Sequence, residues 1–105
     1  MTDKSVVVFE CEGLYVNYLE QVVSYKGKEI YFTNREFQTI YLLLQYQGQV
    51  LSKKQIYEQT TGDGERVDYH TVETTISRIR KMIEICSGRR DFIITVRERG
   101  YKFKK

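Results

Sequence analysis

A chain of 105 residues, 41% apolar and 30% charged, is long enough for one domain with a buried core, and its balance excludes a disordered, collagenous or low-complexity segment. The net charge of +3 is unevenly spread: residues 1–52 hold 4 basic and 6 acidic side chains, residues 53–105 hold 13 and 8, so the second half suits a polyanion, and on charge alone equally suits an ordinary charged surface. Cys11 and Cys86 have neither CxxC nor metal-ligand spacing, no apolar run nears the roughly 18 residues of a membrane span, and residues 6–9 are too short for a signal-peptide core. The expectation is therefore a cytoplasmic, reducing setting with no metal and no cofactor.

The first third reads as strands. Residues 6–9 form a short apolar run, Leu14, Val16 and Tyr18 alternate with Tyr15 and Asn17, and residues 21–25 and 28–32 flank a Lys26-Gly27 turn. These predict an antiparallel sheet of three or four strands. The period then changes to that of a helix, with Phe37, Ile40, Tyr41 and Leu44 on one face. Its start carries a capping box, Thr33-Asn34-Arg35-Glu36, inside a Phe32/Phe37 staple, and Gly48 ends it near residue 47. A second capping box, Ser52-Lys53-Lys54-Gln55 with Leu51 and Ile56 as staple, opens a short helix over 52–60, which Gly62-Asp63-Gly64 breaks.

The third helix is expected from Asp68, stapled by Val67 and Val72, to about Cys86. Val72, Ile76, Ile79, Ile83 and Cys86 form the cleanest apolar stripe in the chain, and Ser87-Gly88 stops it. Residues 92–96 and 101–103 are β-rich runs joined by Arg97-Glu98-Arg99-Gly100, a hairpin with a basic tip. The order is sheet, three helices, hairpin.

Catalysis finds little material here. His70 is the only histidine, and neither HExxH, a P-loop nor GxGxxG is present, so an enzyme is not expected. The third helix offers more. Opposite its stripe it carries His70, Thr74, Ser77, Arg78 and Lys81, with Thr71, Thr75 and Met82 on one flank and Glu73 and Arg80 on the other. Arg reads guanine through two hydrogen bonds, Thr reads a base edge or a thymine methyl, and Lys and Arg neutralise phosphates. Taken alone, this face reads more readily as the solvated side of an amphipathic helix. A short helix, a loop and a longer basic-faced helix read as helix-turn-helix, and Arg97 and Arg99 on the hairpin suit a narrow minor groove. Together the two basic elements favour double-stranded DNA.

Four segments resemble the OmpR/PhoB family of winged-helix effector domains of response regulators. They are residues 32–37, similar to the family's LTxxEF; residues 50–56; residues 72–81, similar to TVxxHIxxLRxK; and residues 94–97 with 100–103, similar to TVRGxGYxF. The likeness runs from about residue 8 to 104. It implies an α+β fold: a winged helix-turn-helix with an N-terminal four-stranded antiparallel sheet, three helices and a C-terminal β-hairpin wing. It implies base reading by Thr74, Thr75 and Arg78, phosphate contact by Thr71, Arg80 and Thr95, joined by the neighbouring Lys81, and minor-groove contact by Arg97, joined by Arg99. Gly62, Asp63, Gly64, Glu65 and Arg66 correspond to the segment that touches RNA polymerase in some members. Three departures stand out: Thr61-Gly62 in place of Trp-Gly, Thr75 in place of a frequent His, and Glu98 in place of the first wing Gly.

The family also implies a phospho-acceptor receiver domain, for which 105 residues leave no room. The expectation is a single effector domain over residues 1–105, either excised or a natural stand-alone reader, monomeric in isolation and paired on tandem DNA sites. Two other readings are kept. A winged-helix protein-interaction module would use the same helix without sequence-specific DNA binding. RNA binding would display aromatics on a sheet; Tyr15, Tyr25 and Tyr31 are instead expected to pack on the first helix or lie on the outer sheet face.

Overall fold

The computed structural model describes residues 7–60 and 68–105. Four strands, β1 (Val8–Cys11), β2 (Leu14–Asn17), β3 (Val22–Tyr25) and β4 (Lys28–Ile30), form an antiparallel meander in the order β1-β2-β3-β4. Two of its turns have two central residues, both at positive φ: Glu12-Gly13 (49° and 96°) and Lys26-Gly27 (48° and 87°). That backbone twist suits the flanking strands, which is why glycine stands second in each. Leu14, Val16, Val23 and Ile30 point inward, and Tyr15, Asn17 and Ser24 lie on the opposite face.

Helix α1 (Asn34–Gln45) lies at the centre of the core. The expected capping box is formed: Glu36 N donates to Thr33 Oγ1 (3.2 Å), and Thr33 N donates to Glu36 Oε1 (2.9 Å). The expected face of Phe37, Ile40, Tyr41 and Leu44 is buried, and so are Thr39, Leu42 and Leu43, because other elements cover α1 on more than one side. Tyr18 stacks on Tyr41 with ring centres 4.2 Å apart, and Phe9 meets Tyr41 edge-on, so aromatic rings fasten the sheet to this helix. The helix ends two residues before the expected position. Gly48, at φ 86°, turns the chain so that its N–H donates to Phe103 O at 3.0 Å.

Helix α2 (Lys53–Thr60) also begins at its expected box, with Gln55 N donating to Ser52 Oγ (3.1 Å) and Ser52 N donating to Gln55 Oε1 (2.8 Å). Helix α3 (His70–Ser87) starts two residues later than Asp68. Asp68 serves as a local acceptor instead, its Oδ1 taking the His70 N–H at 3.1 Å. The Val67 half of the staple expected there lies outside the described residues. Val72, Ile76, Ile79 and Ile83 are buried as expected, and Gly88 closes the helix in the left-handed conformation.

Strands β5 (Ile93–Val96) and β6 (Gly100–Phe103) form the C-terminal hairpin, closed by a three-residue loop. Leu51 and Tyr101 exchange backbone hydrogen bonds of 2.8 and 2.9 Å, a pairing not expected from the sequence. It ties the hairpin to the segment entering α2. A Cβ at Gly100 would lie 2.0 Å from Leu51 O, so only glycine admits this approach.

Candidate nucleic-acid interface

Two elements build the site. Helix α3 turns its apolar stripe onto α1 and the sheet, which leaves His70, Thr74, Ser77, Arg78 and Lys81 exposed along the opposite side. With Glu73 they line one shallow depression of about 420 Å³. Beside α3 stands the hairpin, with Arg97, Glu98 and Arg99 exposed at its tip. Eighteen residues give α3 a length of about 27 Å at 1.5 Å each, and the width of a bare helix with short Thr and Ser side chains suits a major groove.

Thr75 departs from the expected arrangement. It is 8% exposed, buried with the stripe rather than set on the outer face. At 100° per residue it lies about 40° beyond Ile79, so it extends the inward arc. Thr71 is half-buried on the same flank. Thr74 and Arg78 keep the outward position, Thr74 Oγ1 donating back to His70 O at 3.0 Å.

Arg80 and Thr95 are brought together. Arg80 Nε and Nη2 both donate to Ile93 O (3.1 and 2.9 Å), and Nη2 donates to Thr95 Oγ1 at 2.7 Å. Its guanidinium also lies over the Tyr101 ring, 5.7 Å from the centroid. Burial lowers the Arg80 pKa from its usual value, an effect that leaves so strong a base charged at neutral pH. Arg80 is thus a strut that fixes the hairpin against α3.

Three contributors were not anticipated. Lys53, at the start of α2, forms an ion pair with Glu73 of α3, and His70 Nδ1 lies 3.3 Å from the other Glu73 oxygen. These contacts hold the Glu73 carboxyl below its ordinary pKa, the Lys53 bond foremost, and raise that of Lys53. Lys53, Lys54, Thr95 and Arg99 also border a cleft of about 370 Å³ between α2 and the hairpin. Arg78 pairs through Nε with Glu36 Oε2 at 2.8 Å. The capping box accounts for Glu36 locally, and nothing in the neighbouring sequence marks Arg78 as its second partner.

Residues 62–66, expected at a polymerase contact, lie outside the described residues. Among the described residues no group of three His, Cys, Asp or Glu is placed to hold a metal, and no helix is long and apolar enough to cross a membrane.

A family model described as "Transcriptional regulatory protein, C terminal" matches residues 27–103. Among solved structures, the response regulator DrrB of Thermotoga maritima, described as an OmpR/PhoB homologue, superposes with a TM-score of 0.83 at 28% identity over 94% of this chain. The chain spans 45% of that regulator's length. The DNA-binding domain of CpxR from E. coli matches with a TM-score of 0.79 at 28% identity, covering 93% of this chain and 96% of that one. The DNA-binding domain of RstA from Klebsiella pneumoniae, solved in complex with the RstA box, matches at 0.74 and 23% identity over 92% of this chain and 96% of that one, a likeness of fold.

Proposed function

Because the chain belongs to the family of C-terminal domains of transcriptional regulatory proteins, of OmpR/PhoB type, we propose that it is a sequence-specific double-stranded DNA-binding domain that serves transcription regulation. The observation that carries the reading is the pairing of two exposed basic surfaces on one rigid frame: the outer face of α3 and the tip of the hairpin, held together by Arg80. Helix α3 enters the major groove, and the hairpin is the wing that meets the adjacent minor groove.

Each side chain has a part in this reading. Thr74 and Arg78 read base edges. Lys81 and Thr71 contact phosphates along the groove. The Thr95 hydroxyl accepts from Arg80, so its own hydrogen is available to a phosphate oxygen, and Arg80 adds its charge at the same point. Arg97 and Arg99 reach the minor groove, where narrow A·T-rich segments concentrate negative potential. Lys53 and Lys54 line the α2 side of the cleft and extend the phosphate track.

The reading extends to the whole regulator. Residues 1–105 act as one effector unit in the cytoplasm, monomeric when free. A receiver domain of the same regulator promotes pairing on tandem half-sites, where the first bound domain raises the effective concentration of the second. Gly62–Arg66 supply the contact to RNA polymerase.

Duplex binding followed by fluorescence anisotropy across a range of salt concentrations tests the proposal. Affinity should fall steeply and linearly on a log–log plot, and Lys81→Ala should reduce the slope by about one unit. A flat salt response would instead identify a protein-interaction module.

A further inference from the structure

Glu36 makes more contacts than a helix cap requires. Its Oε1 takes the Thr33 N–H in the capping box of α1, while its Oε2 faces Arg78 Nε at 2.8 Å on a different helix. The carboxylate is buried, with its side chain 7% exposed, whereas the Arg78 side chain is 61% exposed. One end of the pair is therefore fixed inside the fold and the other projects onto the outer face of α3. The second capping box of the molecule shows that a charge is not needed for the cap, because the neutral Gln55 makes the same reciprocal bonds at α2.

The geometry of arginine gives the extra contact a use. The guanidinium is planar, and a carboxylate at its Nε edge leaves the two Nη groups as an outward fork. Such a fork matches the O6 and N7 acceptors of guanine. An untethered arginine loses several rotatable bonds on docking, whereas one already held at Nε loses fewer. We propose that Glu36 is a positioning residue for base reading, and that the α1 capping box carries Arg78 in a preset orientation toward a guanine. The inference rests on the assignment of Arg78 as a base reader. Glu36 itself does not touch DNA.

Because Gln can satisfy the cap but offers no carboxylate to Arg78, Glu36→Gln separates the two roles. The experiment measures wild type, Glu36→Gln, Arg78→Ala and the double variant on the duplex selected by wild type, and on the same duplex with the guanine read by Arg78 replaced. Glu36→Gln should keep its thermal midpoint within about 3 °C of wild type. It should lose about tenfold of the discrimination at that guanine, and nothing further in the Arg78→Ala background. Full discrimination in Glu36→Gln, while Arg78→Ala has lost it, would overturn the positioning role and leave Arg78 as the reader. An equal loss with and without Arg78 would show that Glu36 acts only through the helix cap. If Arg78→Ala loses no discrimination, the assignment of Arg78 falls and this proposal with it. A measurement on unaltered protein stands beside these: the Arg78 Nε–H resonance should exchange slowly in the free domain and in the complex. Exchange as fast as that of the wing residue Arg97 would contradict the tether.

Discussion

At the scale of single residues, what a side chain does at this interface depends on what holds it. Glu98 sits at the wing tip with φ 64°, a conformation that costs a non-glycine residue about 1 kcal/mol. The family resemblance places glycine there, and the structure supplies the reason. Glu98→Gly should raise stability by roughly 0.5 kcal/mol, since relief of strain exceeds the added freedom of the unfolded chain. The urea midpoint reports that gain, and duplex affinity should rise as well, because an acid leaves the space between Arg97 and Arg99. Thr74 and Arg78 were legible as outward residues from helical period alone. Thr75 was not, since a motif assigns a position and not a direction, and the buried arc of α3 is wider than its aliphatic residues suggest.

At the scale of elements, the wing is held from two sides. Arg80 bonds its backbone and Thr95 from α3, and Leu51 pairs with Tyr101 from the segment entering α2. Gly100→Ala would force Cβ into the Leu51 carbonyl and should cost more than about 2 kcal/mol, read from chemical denaturation, with a loss of DNA affinity as the wing shifts. Arg80→Ala should weaken binding to all duplexes alike and flatten the salt slope by about one unit; Arg80→Lys keeps the charge without the fork and should recover the slope more than the affinity. Local chemistry made much of this readable. Both capping boxes, the Lys26-Gly27 turn of the sheet and the Gly88 stop obey rules confined to a few neighbouring residues. The Leu51–Tyr101 pairing and the Glu36–Arg78 contact join residues 50 and 42 positions apart, and no local pattern encodes which distant strand or charge a residue will meet.

At the scale of the whole molecule, charges bind the N-terminal sheet to the foot of the wing. Glu12 of the β1–β2 turn, Arg89 and Asp91 of the α3–β5 connection, and Lys104 after β6 form one network, with Lys104 Nζ 3.0 Å from Glu12 and 2.9 Å from Asp91. Arg89 first and Lys104 second hold both carboxyls below the usual carboxylate range. A carboxyl with a depressed folded pKa contributes stability above its unfolded value, near 4, and that contribution disappears as pH falls through the folded value. Asp91→Asn should therefore melt below wild type at pH 7, with the gap narrowing below about pH 4, as followed by circular dichroism. The charge asymmetry between the two halves of the chain pointed to the basic end, but this network shows that part of that charge is spent internally. What remains on α3 and the wing faces outward, and its ability to read sequence is the central claim. Selection from a random pool of duplex DNA, run in parallel with wild type and Arg78→Ala, tests it most directly. Wild type should enrich one motif, and the variant should blur it at a guanine, at a cost of about 1–3 kcal/mol there. An identical motif from both proteins would contradict reading by Arg78, and no enrichment by wild type, even at low salt, would contradict sequence-specific binding itself.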